Sequence, residues 1–190
     1  MQQAPTIKGL FVKTHIAAVK HKRGEQGVKI LEKLFGKPLA FGNWENVPVE
    51  EEVRLIHYAL HIWSDEEIVS KYLEYEAGRF HFRNFLTTPL AKTIIKRFGA
   101  NFKLIMMLAS KIARKVFLGI EVSSENIDLH KVKIIIKNSA YPLEHFSGFF
   151  EAWLSYVGLV GMVRAVKTNT HLFEYTIIWK TADQKKLDKS

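Results

Sequence analysis

Residues 131–180, KVKIIIKNSAYPLEHFSGFFEAWLSYVGLVGMVRAVKTNTHLFEYTIIWK, decide the fold. In the stretch 130–137, Val132, Ile134 and Ile136 fall on one side and Lys131, Lys133 and Lys137 on the other. A period of two marks a half-buried strand. Pro142 then opens a helix with the stripe Leu143, Phe146, Phe150, Trp153, Leu154 and Val157, and Gly158 stops it. Two more strands follow at 160–167 and 171–180, joined by the polar turn Thr168-Asn169-Thr170. The second of them alternates Phe173, Tyr175, Ile177 and Trp179, again with a period of two.

Upstream the period is helical. Leu10, Phe11, Thr14, Ala17 and Ala18 place a stripe on a helix over 6–22. Gly24 interrupts it, a short helix covers 26–35, and Gly36 with Pro38 ends that one. Residues 41–47 read as a loop. Pro48 followed by Glu50, Glu51 and Glu52 suits a helix N-terminus, and that helix runs to about residue 62. Ser64-Asp65-Glu66-Glu67 has the form of a capping box and opens a helix over 65–85. Gly78 inside it costs about 1 kcal/mol against alanine, which points to close packing on a neighbour. Thr88-Pro89 starts a helix to residue 98, and Gly99 separates it from an amphipathic helix over 102–116. Residues 117–122 read as a strand. Helices first and a mostly antiparallel sheet last, with one helix inserted between strands, is an α+β arrangement. The chain is expected to be a single domain over 1–190, with a disordered tail at 181–190.

Composition sets further bounds. The chain has 190 residues, 47% hydrophobic and 25% charged, an ordinary globular mix. The absence of cysteine removes disulfides, thiolate metal sites and thiol nucleophiles. The N-terminus lacks a signal-like apolar region, and no apolar run approaches the roughly 18 residues of a membrane span. A cytoplasmic protein is expected. The net charge of +9 attracts polyanions in general, and it reports on encounter rather than on fold.

Several short segments carry a resemblance: Ile7-Lys8-Gly9; Phe85-Leu86-Thr87-Thr88-Pro89-Leu90-Ala91; Arg97-Phe98-Gly99; Ser147-Gly148-Phe149-Phe150; Tyr156-Val157-Gly158; and Tyr175-Thr176-Ile177-Ile178-Trp179. In this order they resemble an uncharacterised bacterial family of about 180 residues known from myxobacteria. More distantly, they are similar to the superfamily of haem nitric-oxide-binding domains, 4-vinyl-reductase domains and Bet-type TRAPP subunits. The resemblance covers residues 6 to 180. It implies a helical N-terminal half packed on a small antiparallel sheet, with an apolar pocket between them, and a role in signalling. It also shows departures. Haem-binding relatives carry a proximal histidine on the long helix before the sheet and a Tyr-x-Ser-x-Arg motif for the propionates. Residues 102–116 contain no histidine, and Lys137-Asn138-Ser139-Ala140-Tyr141 keeps the serine but lacks the tyrosine and arginine. Haem, zinc and covalent lipid are disfavoured, and no cofactor is expected.

The side chains expected to line a pocket are Ile105 and Ala109 from the 102–116 helix, Phe146, Phe150 and Trp153 from the inserted helix, and Tyr175 from the sheet. Arg79 and Arg83, one helical turn apart, could grip an anion, and Lys131 and Lys133 form a basic edge on the sheet. His57 and His61 are also one turn apart, and Glu51 and Glu52 could contribute further ligands, but no HExxH accompanies them, so they are read as surface or boundary residues and no metal site is expected. His81 could act as a general base, yet no nucleophile or orienting carboxylate stands at informative spacing, Glu76 being one option among several; His145, with Ser139 and Tyr141, is equally unspecific. GxGxxG, GxxxxGK[ST] and GxSxG are all absent. No catalytic residue is assigned and the chain is not expected to be an enzyme. The sequence leads to a non-enzymatic domain that senses a small apolar ligand or docks a protein, with a homodimer through the long helices as one arrangement. The alternative is a basic adaptor for nucleic acid or an acidic membrane surface.

Overall fold

The structure is a computed structural model that describes residues 4–65, 68, 70–99 and 101–180. Its seven helices and seven strands, among the described residues, follow the order β1 (Thr6–Lys8), α1 (Gly9–Phe35), β2 (Asn46–Pro48), α2 (Val49–Trp63), α3 (Leu73–Phe85), α4 (Pro89–Phe98), α5 (Phe102–Met107), α6 (Ala109–Val116), β3 (Phe117–Leu118), β4 (Glu121–Asp128), β5 (Lys131–Lys137), α7 (Leu143–Tyr156), β6 (Val160–Asn169) and β7 (Leu172–Lys180). The fold is α+β, with the helices leading and an antiparallel sheet closing the chain.

The main sheet has the order β4-β5-β7-β6, every neighbour antiparallel. The alternation in the sequence sets its inner face. Val132, Ile134 and Ile136 stand opposite Ile177, Tyr175 and Phe173, and all are buried. Burying each such side chain contributes about 1.5–3 kcal/mol. The inserted helix α7 lies on this face, where Tyr175 Oη donates to the Leu143 carbonyl at 3.0 Å and the Tyr175 ring meets Phe146 and Phe150. Helix α5 covers the other end, with Phe102 edge-on to Trp179 at 5.2 Å between ring centroids.

Several elements differ from the sequence reading. Residues 6–8 form a strand rather than the start of a helix: Ile7 pairs with Val47 of β2 and with Phe117 of β3 in a second, three-stranded sheet. Strands of two or three residues are too short to show a period. Residues 117–122 are two strands in two sheets, separated at Gly119, whose φ of 86° needs glycine. Strand β4 continues to Asp128 as an exposed edge, and its polar run Ser123-Ser124-Glu125-Asn126 gives no apolar alternation to read. The expected interruption at Gly24 is present, its φ of 65° and ψ of −165° being non-helical, so α1 is two helical segments that meet there at a kink; the first begins at Gly9 rather than at residue 6. Ser64 ends α2 and α3 begins only at Leu73, after a 3₁₀ turn at Ser70–Tyr72; Glu66 and Glu67 of the expected capping box lie outside the described residues. The expected 102–116 helix is broken at Leu108 into α5 and α6. The expected disordered tail at 181–190 also lies outside the described residues.

Candidate functional site

An apolar cavity of about 80 Å³ lies where α5 and α6 face α3, α7 and the sheet. Ile105, Met106, Ala109, Ile112, Ala113 and Val116 form one wall. Phe146, Phe149, Phe150 and Trp153 of α7 form the other, with His81 and Phe85 of α3 at its edge and Val122 and Ile136 from the sheet. Apolar cavities of this kind stay dry. A cavity that accepts benzene measures roughly 150 Å³ and drug-sized ligands need roughly 300–1,000 Å³, so this one suits a guest smaller than either. Phe149 keeps it small: its ring contacts His81, Phe82, Phe85, Phe146 and Trp153 at centroid distances of 5.3 to 6.1 Å.

The side chains expected to line a pocket are placed unequally. Ile105, Ala109, Phe146, Phe150 and Trp153 lie on the cavity wall. Tyr175 does not; it sits behind Phe146 and Phe150 with its hydroxyl bonded to Leu143. Of the cations expected to bind anions, Arg79 and Arg83 line one surface pocket between α3 and α7, while Lys131 and Lys133 lie apart from them on the sheet. Arg83 lies 4.5 Å over the Trp63 ring, and Arg79 lies 5.9 Å over Tyr75 and 3.8 Å from Glu76. Lys131 and Lys133 belong to β5, and Lys133 Nζ is 3.4 Å from Glu174. His57 Nε2 pairs with Glu74 at 2.9 Å while His61 is exposed, so the two do not converge.

Beside the cavity lies a polar cluster that the sequence reading did not assemble. Glu52 of α2 is fully buried between His15 of α1 and His81 of α3. His15 Nε2 donates to Glu52 Oε1 at 3.1 Å, and Asn84 Nδ2 donates to His15 Nδ1 at 3.0 Å. Tyr141 Oη donates to Glu52 Oε2. His81 Nδ1 and His145 Nε2 share a hydrogen bond of 3.0 Å, and His145 Nδ1 has no partner among the described residues. Burial governs the charge states. It lowers His15 to about 3 and His81 to about 4, the latter against the attraction of Glu52. It likewise holds His145 well below the ordinary range. Burial also raises Glu52, against the opposing pull of His81 and the Tyr141 hydrogen bond, and raises the Tyr141 phenol. The neutral imidazoles are therefore donors and acceptors rather than counter-charges. The members stand at positions 15, 52, 81, 84, 141 and 145, so no local motif announces them. The only sequence signal is a histidine at 15, between the apolar residues Val12 and Val19.

Neither the cavity nor the cluster fits haem. The residues of α5 and α6 supply no imidazole, and a space of about 80 Å³ is far below the roughly 300 Å³ at which pockets for sizeable ligands begin. His81, the histidine on the wall, has Nδ1 committed to His145 and Nε2 turned toward Glu52. The Tyr141 hydroxyl, at the place of the propionate motif, is spent on Glu52.

No protein-family model matches the sequence, and no curated protein matches it. Solved structures do. An oxygen-binding H-NOX domain related to soluble guanylate cyclases is 13% identical, with a TM-score of 0.66 over 92% of this chain and 95% of that one. An Fe(II) unliganded H-NOX mutant from K. algicida is 12% identical, with a TM-score of 0.63 over 92% and 97%. A T. tengcongensis H-NOX mutant is 15% identical, with a TM-score of 0.64 over 92% and 98%. At these identities the likeness is one of fold. Among the described residues no helix is long and apolar enough to cross a membrane.

Proposed function

We propose that this chain is a non-enzymatic sensor of a very small apolar molecule, of the size of a dissolved diatomic gas, held in the α5–α6–α7 cavity without haem. The carrying observation is the cavity itself: about 80 Å³, with an almost wholly carbon lining, between the helical half and the sheet. The fold likeness to H-NOX domains, one of them described as oxygen-binding, supports the same reading. A guest there touches α5, α6 and α7 at once, so it can bias how the broken helix packs on α7, provided that it prefers one of two packings. For the nucleic-acid form of the adaptor alternative the sheet lacks one requirement, exposed rings. Its outward-facing positions on β7 are Leu172, Glu174, Thr176 and Ile178, and its rings point inward, so it offers no platform for base stacking.

Xenon is a suitable probe because it matches a small dry cavity and binds by dispersion. Crystals under xenon pressure should show one xenon between Ala109 and Phe149, and Ala109→Leu should exclude it. Xenon absent from this site, or unaffected by Ala109→Leu, would overturn the proposal.

A further inference from the structure

His15, Glu52 and His81 come from three different helices and each brings one metal-ligating atom to a common point; these atoms all lie within 4.8 Å of one another. We infer that they form a mononuclear site for a first-row divalent transition metal, of the zinc(II) or iron(II) class, through His15 Nε2, His81 Nε2 and a Glu52 carboxylate oxygen.

The spacing fits. Metal–ligand bonds of about 2.0–2.2 Å place neighbouring ligand atoms roughly 3.0–3.5 Å apart in octahedral or tetrahedral geometry. His15 Nε2 and His81 Nε2 stand 3.1 and 3.9 Å from the same oxygen, Glu52 Oε1. The donor set of two imidazoles and one carboxylate suits these metals and leaves further coordination positions open.

Burial gives the second argument. Glu52 and His15 are fully buried and His81 is 4% exposed. A carboxyl in such a place stays neutral unless a cation compensates its charge. No lysine or arginine pairs with Glu52 among the described residues, so a divalent cation that displaces its proton would be its counter-charge.

The third argument is the outer layer of partners. Each proposed ligand is held on its far side by another buried group: His15 Nδ1 by Asn84, His81 Nδ1 by His145 Nε2, and Glu52 Oε2 by Tyr141. Ligating histidines are ordinarily fixed in this way, with the non-ligating nitrogen donating to an acceptor. His145 Nε2 is that acceptor in the tautomer that puts the proton on His81 Nδ1. Asn84 must present its oxygen instead of its nitrogen, an amide reversal within the same space.

This inference stands apart from the cavity reading and is tested without any gaseous ligand. Tag-free, metal-free full-length protein should bind one Zn²⁺ per chain, and its melting temperature should rise by about 5 °C or more at a hundredfold excess over Kd. Co²⁺ in place of Zn²⁺ should give visible d–d absorption. Glu52→Gln and His81→Gln should each lose binding at least tenfold, while His57→Ala, which removes the separate His57–Glu74 pair, should bind as the parent does. X-ray absorption of the Co²⁺ form of the parent protein should show a nitrogen/oxygen shell with two imidazoles, a readout that does not depend on the variants folding. Failure to bind stoichiometric metal, a shell without imidazole, or loss of binding in His57→Ala alone would each overturn the inference.

Discussion

Gly78 and Gly148 each lie against the backbone of the other's helix where α3 crosses α7. A Cβ added to Gly78 would stand 1.8 Å from the carbonyl oxygen of His145, and one added to Gly148 would stand 2.0 Å from that of Tyr75. Both obstacles are main chain, which cannot swing aside. The crossing also sets the cluster and the cavity, because Phe80, His81 and Phe85 follow Gly78 on α3 while His145, Phe149 and Phe150 flank Gly148 on α7.

Gly78→Ala should therefore destabilise despite alanine's better helix propensity. Forcing the helices apart costs on the order of 2–3 kcal/mol, more than the roughly 1 kcal/mol that propensity returns in an open helix. A fall of about 5 °C in melting temperature is expected for a chain of this size. Denaturant unfolding of Gly78→Ala and of Gly148→Ala measures it, and an unchanged or raised midpoint in either would contradict the crossing as described.

The helix signals that could be read are those written in adjacent residues. Thr88 caps α4 as its sequence position suggests, with Oγ1 accepting from Ala91 N at 3.2 Å and donating to the Phe85 carbonyl at 2.7 Å. It is only 2% exposed. Thr88→Ala should cost about 1–2 kcal/mol, and Thr88→Ser should retain most of the stability because the oxygen stays. Equal losses in the two variants, measured by urea titration, would show that the methyl group and not the cap matters.

What escaped the sequence reading escaped for identifiable reasons. The stripe on α1 runs through Phe11, Val12, His15 and Val19 rather than Leu10, Thr14 and Ala17. It comes into view only once His15 is counted as an inside residue, and His15 is inside because Glu52 and Asn84, far along the chain, satisfy its ring. The inner face of the main sheet was legible because Val132, Ile134 and Ile136 recur at every second position, with Ile135 the one apolar residue on the opposite face. The expectation of a pocket between the 102–116 helix, the inserted helix and the sheet came from the family resemblance, since apolar stripes that meet there could as well have closed into a filled core. Tyr175 was misplaced because alternation gives the face of a strand, not the depth of a side chain behind a helix.

Phe150 stands between the cavity and Tyr175 of the sheet and is 5% exposed. Phe150→Ala should destabilise by about 3–5 kcal/mol and enlarge the cavity past the roughly 150 Å³ that admits benzene. Benzene at a hundredfold excess over Kd should then return about 2.7 kcal/mol to the variant, and should leave the parent protein's melting temperature unmoved. Calorimetry with and without benzene checks both halves. Stabilisation of the parent by benzene would mean that the cavity opens more readily than its packing implies.

Tyr75 and Glu151 tie α3 to α7 and the sheet. Tyr75 Oη donates to Glu151 Oε2 at 2.6 Å, and Val163 N donates to Glu151 Oε1 at 3.3 Å. Burial pushes the Tyr75 phenol up to about 12, and the Glu151 hydrogen bond and charge add to it. Because the folded value exceeds the unfolded value near 10, the folded state holds the proton more tightly. The resulting stability is complete below pH 10 and is lost as pH rises through about 12. Between those limits the parent protein should lose stability faster than Tyr75→Phe does. Glu151→Gln should bring the Tyr75 titration down, but not to 10, since burial is the larger cause. Ultraviolet absorbance of phenolate, taken as the difference between parent and Tyr75→Phe, follows the titration, and chemical unfolding at stepped pH follows the stability. Parallel stability curves for parent and Tyr75→Phe from pH 10 to 12 would remove Tyr75 from the account of alkaline unfolding.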